Sequence, residues 1–128
     1  MARRSTQEWE HIVASAMRQA RDLFELESSP LAEEDCVRVL ARARYPTRIL
    51  GTGLAIRDLL AHAAETIAQD CGDRRFGRFC ALYAVGTPIA DIAGALGMSR
   101  AHLSKYWRPK AVKLITAQLR AELQERAA

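Results

Sequence analysis

IADIAGALGMSRAHLSKYWR, residues 89–108, decides how this chain is read. Ile92, Ala93 and Leu96 recur at helical spacing and give one packed face. Gly97 interrupts them, Met98-Ser99-Arg100 starts a second helical pattern at once, and Pro109 follows it. Thr87 is expected to cap the first of these helices, with Pro88 and Asp91 in its first turn. Gly97 suits a left-handed residue at the helix C-terminus, because it has no Cβ to clash there. Met98 then points inward as a plug and Ser99 caps the second helix. That helix is expected to bury Leu103 and Tyr106 and to project Arg100, Ala101, Ser104, Lys105 and Arg108 on its other face. Pro109 lacks the backbone donor and crowds the carbonyl four residues earlier, which predicts a stop or kink near Trp107 or Arg108 and a short second helix.

On either side of this stretch the periodicity stays helical. STQEWEHIVASAMRQARDLFELES places Trp9, Ile12, Val13, Ala16, Met17, Ala20 and Phe24 on one face of a single long helix. Ser29 and Pro30 open a second helix that runs to about Arg44, with acids early and arginines late. YPTRILGTG, residues 45–53, reads as a loop. Its Gly51 and Gly53 form a plain turn, since neither GK[ST] nor GxGxxG accompanies them. Residues 54–71 make a third helix with Ile56, Leu59, Leu60, Ala63 and Ile67 inward, broadened by Leu54, Ala64 and Ala68. Phe76, Phe79, Cys80 and Tyr83 mark one side of a fourth helix that ends near Gly86. The final segment carries a narrow stripe of Val112, Ile115, Leu119 and Leu123, fit either to pack back on the N-terminal helices or to pair with a second subunit. No strand-like alternation occurs, and the expected fold is all-α.

A chain of 128 residues, 49% apolar and 27% charged, is long enough to bury a core without cross-links. Its apolar runs are too short to span a bilayer, and MARRSTQEWEH lacks the apolar core of a signal peptide, so the reading is cytoplasmic. Cys36, Cys71 and Cys80 form no CxxC pair and read as small packing residues. Neither a metal nor a cofactor is expected. No nucleophile–base pair or carboxylate pair stands at an interpretable spacing, and the expectation is a protein that is not an enzyme. The excess of Arg over Lys is the composition of a GC-rich genome.

The net charge of +4 is unevenly placed. Residues 1–70 hold nine Arg against eleven acids, whereas residues 71–128 hold ten bases against four acids. Eight of those bases lie between Arg74 and Lys113, with Asp91 as the only acid among them. A concentrated basic segment points to a polyanionic partner. The composition shift near Cys71–Asp73 divides the chain into a helical oligomerisation or partner-binding region, 1–72, and a basic region with the C-terminal helix, 73–128.

IADIAGALGMSRAHLSK is similar to the helix-turn-helix of bacterial transcription regulators, and most like the sigma-factor region 4 type, in which an IA…LG.S…(L/V)S pattern recurs. With RRFGRFCALYAVG as the preceding helix, the three-helix unit would span about Arg74 to Arg108. The resemblance implies double-stranded DNA as the partner, read in the major groove by the helix at Ser99–Trp107. Arg100, Ala101, Ser104 and Lys105 are then the expected base-reading residues. Thr87, Ser99, His102, Arg108, Lys110 and Lys113 are the expected phosphate contacts, with His102 equally compatible with an inert surface position. Trp107 is expected to pack against the last helix.

A sequence-specific transcriptional regulator, working as a homodimer, is the leading reading. A phage-type DNA-packaging adaptor or an antitoxin-like partner of another protein, bound through the N-terminal helices, would use the same fold. A sigma-like RNA polymerase subunit is a further alternative. Sigma factors also carry an aromatic and basic promoter-melting domain, and residues 1–70 are slightly acidic with Trp9, Phe24 and Tyr45 as their only aromatics.

Overall fold

The computed structural model describes residues 4–127, which leaves residues 1–3 and 128 of the two expected regions outside the described part. The elements run α1 (Thr6–Arg18), α2 (Leu23–Leu26), a 3₁₀ turn (Pro30–Glu33), α3 (Asp35–Arg44), α4 (Gly51–Asp70), α5 (Arg74–Ala84), α6 (Ile89–Leu96), α7 (Arg100–His102), a π-turn (Leu103–Trp107) and α8 (Arg108–Ala127). No strand occurs among the described residues, and the fold is all-α. None of these helices is long and apolar enough to cross a membrane.

α4 is the centre of the structure. Ala55, Ile56, Leu59, Leu60, Ala63, Ala64 and Ile67 are all buried, and α2, α3, α5 and α8 pack around them. One continuous buried cluster extends from Val13 to Leu123 and crosses the Gly72 turn at which the composition changes. The stripe of α8 is spent inside the chain: Ala111, Ile115, Leu119 and Leu123 are buried against α4, α1 and α3, and Val112 is half-buried. Polar contacts reinforce the seam. Arg120 donates to the Thr6 hydroxyl at 3.2 Å, and the Arg120 and Arg4 guanidinium groups lie 5.5 and 5.2 Å from the Trp9 ring. Buried Glu122 accepts from Gln118 at 3.2 Å and lies 2.8 Å from His62 Nδ1, which ties α8 to α4.

Several boundaries differ from the sequence reading, each for a local reason. The first helix ends at Arg18 rather than continuing through Phe24, because Asp22 turns extended and its carboxylate caps the amides of Phe24 and Glu25, starting α2. Phe24 is consequently 74% exposed rather than part of the core. Ser29 does cap, accepting from the Leu31 amide at 3.2 Å, yet the turn it opens is 3₁₀ and closes at extended Glu34 before α3 begins. Gly51 and Gly53 belong to α4 and not to a loop. Leu50 supplies no side-chain cap there, and Glu27 reaches across to accept from the Gly53 amide at 3.0 Å. A Cβ at Gly53 would stand 2.6 Å from the Leu23 carbonyl oxygen, so close packing against α2 excludes any larger residue.

Pro109 ends nothing. The backbone is helical without interruption from Arg100 to Ala127, and the conflict expected at Pro109 is absorbed one turn earlier. The π-turn widens by one residue the turn that precedes Pro109, which relieves crowding between the ring and the Lys105 carbonyl.

Burial pushes the Cys80 thiol up to about 12 from its ordinary 9.0, and burial also raises the Tyr83 phenol. Above pH 9 the unfolded chain releases protons that the native chain retains, so stability is lost as pH rises through that window. Thermal melts between about pH 8 and about pH 11 should show a falling midpoint, and Cys80→Ala should flatten part of the fall. A second pair of variants checks the α8 seam. Ile115→Ala should cost about 2–5 kcal/mol in denaturant unfolding, and Leu114→Ala, on the outer face, at most about 0.5 kcal/mol.

Candidate nucleic-acid interface

Asp73 starts α5 by accepting from the Arg75 and Phe76 amides at 3.0 and 3.1 Å. Gly77 then lets α5 lie directly on α4: a Cβ there would meet the Ala68 Cα at 3.0 Å. From this fixed base Arg75 donates to the Leu96 carbonyl oxygen at 2.6 Å. The last carbonyls of a helix have no partner within it and carry its negative dipole end, so a guanidinium there both satisfies and clamps the end of α6. Arg75 thereby holds the turn that follows. Sequence reasoning gave it no role, and its only signal was a run of arginines at the start of a helix.

Gly97 is left-handed, with φ 65° and ψ 39°. The Met98 amide donates back to Ala93 O at 3.1 Å, and Met98 is half-buried against the core, as a plug between two helices should be. Ser99 caps the next helix by accepting from the His102 amide at 3.2 Å. At the other end of α6 the cap position belongs to Pro88, which offers no side-chain bond. Thr87 stands before it, half-buried, with its amide donating to Leu82 O. The sequence reading of Thr87 as the cap is corrected accordingly.

Leu103 is buried, and Arg100, Ala101, His102, Lys105 and Arg108 are exposed around it, with Ser104 partly covered. Trp107 packs as expected but on α5 rather than on the last helix, edge-on to Phe76 at 5.5 Å and Phe79 at 5.8 Å. Tyr106, expected inside, is 56% exposed. Lys110 and Lys113 lie exposed at the start of α8, the Lys110 ammonium 4.5 Å from the Phe76 ring centre.

The two halves differ in their balance of charge, nine Arg against eleven acids in residues 1–70 and ten bases against four acids in residues 71–128. Arg4 pairs with Glu33 and Glu34, and Arg44 with Asp58. No ion pair among the described residues engages Arg100, Lys105, Arg108, Lys110 or Lys113. Arg74, Arg75 and Arg78 line a shallow cleft with Ala95 and Leu96 beside the same turn. The three cysteines are unpaired thiols, and no three His, Cys, Asp or Glu side chains among the described residues gather as metal ligands would. No protein-family model, curated protein or solved structure matches the chain.

Two glycines of α6 and its turn isolate the backbone requirement, since a Cβ at Gly94 or Gly97 meets nothing within 4 Å. Gly94 has helical φ, so Gly94→Ala should stabilise the fold by about 0.4–1 kcal/mol. Gly97→Ala should cost about 1 kcal/mol through its positive φ alone, and Gly97→Val more. Chemical denaturation of the variants should return these opposite signs.

Proposed function

We propose that the chain is a sequence-specific regulator of transcription that binds double-stranded DNA, presenting Ser99–Trp107 to the major groove and acting as a homodimer. The observation that carries this reading is the set of solvent-facing bases, without ion pairs among the described residues, on the helix that follows the left-handed Gly97 turn. Cations held in a row without acidic partners are suited to phosphate, whose charge supplies the sequence-independent part of DNA affinity. Arg100, in the first turn of the element, is placed to donate two hydrogen bonds to guanine O6 and N7. Ser104 and Lys105 reach neighbouring base edges, and exposed Ala101 permits close approach. Ser99, His102, Arg108, Lys110 and Lys113 hold phosphates on either side, and Thr87 does so from the start of α6. Arg74 and Arg78 extend the positive surface beyond the turn.

One short helix reads few base pairs, which is why the reading includes two copies on half-sites about 34–36 Å apart. The α8 stripe is consumed within the chain, so the pairing surface falls to the N-terminal region, where Phe24 on α2, Val39 on α3 and Ile49 in the turn before α4 stay exposed.

Selection of bound duplexes from random DNA, with the mass of the free and bound protein measured alongside, should return an inverted repeat and a dimer. A monomer on an asymmetric short site would refute the dimer, and an unenriched pool would refute sequence-specific binding. On the selected site Arg100→Ala should cost about 1–3 kcal/mol and relax one base position, with much less loss on scrambled DNA. Lys113→Ala should weaken both DNAs alike and reduce the magnitude of the slope of log affinity against log salt by about 0.9. The reverse pattern would invert the proposed docking.

A further inference from the structure

In an unbroken α-helix positions 106 and 107, three and four residues beyond Leu103, lie on the two flanks of the buried stripe. The wider turn at Leu103–Trp107 changes that register. Trp107 takes the inward place against Phe76 and Phe79, and Tyr106 is turned outward. Its ring centre stands 5.1 Å from that of His102 and 5.4 Å from the Lys105 ammonium. A large apolar ring thus sits in water among polar and cationic groups, on the element that presents the bases. π-turns occur often at functional sites, where they re-aim side chains.

We propose that Tyr106 is a further base-reading residue whose ring packs on the C5 methyl of a thymine, an assignment that rests on the DNA-binding reading above. His102, Lys105 and Arg100 supply hydrogen-bond donors for phosphates and base edges. An aromatic face matches none of these. The one apolar feature that a base pair displays in the major groove is the thymine methyl, and contact with it distinguishes thymine from cytosine at that position.

The test uses the full chain and the duplex it selects, with each thymine replaced in turn by deoxyuridine, a change that removes only the methyl. At one thymine per half-site the wild-type affinity should fall by about three- to tenfold. Tyr106→Ala should lose the same factor on the thymine duplex and be indifferent to deoxyuridine at that position. Tyr106→Phe should behave as wild type. The exposed position predicts unchanged melting, and Tyr106→Gln provides a second ring-less variant in which the same indifference should appear.

If the ring-less variants bind as tightly as wild type, or keep the wild-type sensitivity to deoxyuridine at every thymine, the assignment is wrong although DNA binding stands. Loss in Tyr106→Phe equal to that in Tyr106→Ala would assign the hydroxyl to a phosphate and overturn the methyl contact. Absence of wild-type binding to any duplex would remove the functional reading itself, an outcome visible before any variant is made.

Discussion

Where Gly77 crosses Ala68, two helix backbones approach so closely that a Cβ at Gly77 would crowd Ala68, and the rest of the candidate interface depends on that approach. It seats α5 on the central helix α4. α5 in turn carries groups from outside the turn that orient it and the helix after it. Arg75 clamps the end of α6, and Phe76 and Phe79 receive Trp107. Phe76 also lies beneath the Lys110 ammonium. A helix held at its base by absent atoms and at its edges by aromatic and guanidinium contacts can present a short basic segment in a fixed pose. Such a pose is what recognition of a rigid partner requires, since side chains ordered beforehand lose less entropy on binding.

A second constraint is the proline. Pro109 must interrupt regular helical bonding, and the chain responds by widening the preceding turn rather than by ending the helix. Two consequences follow. The basic element and α8 form one continuous rod, so the outward row at Arg100–Arg108 is rigidly connected to a helix buried against α1, α3 and α4. The turn also carries Tyr106 further from the buried face and Trp107 further onto it, so the larger ring joins the aromatic cluster and the smaller one stays in water.

Charge is sorted in a way that matches this architecture. In the N-terminal half acids and bases nearly balance, nine Arg against eleven acids, and Arg4 pairs with Glu33 and Glu34 and Arg44 with Asp58. Pairs of this kind contribute little stability when exposed, and the near balance of charge leaves little net field on that side. Around the Gly97 turn the bases have no such partners among the described residues, and a positive potential persists there.

The sequence by itself determined the helical class, the inward residues of the long helices and the left-handed turn at Gly97, because each rests on local chemistry. Ile56, Leu59, Leu60, Ala63 and Ile67 repeat at the period of a helix, and all are buried. Ser99 and Gly97 act on amides and dihedral angles within a few residues of themselves, so their roles are legible without knowing what surrounds them. What only the tertiary structure decided are the features whose partners lie far along the chain. Gly51 and Gly53 look like a loop until Glu27 caps them and Leu23 packs against them. The stripe of α8 is equally suited to a second subunit until it is seen against α4. Arg75 is one arginine among several until Leu96 is placed beside it. Tyr106 and Trp107 both flank Leu103 at regular helical spacing, so periodicity cannot rank them, and the wider turn decides that Trp107 faces inward. Local propensity sets which elements form, and the space left between them settles which faces, caps and rings are used.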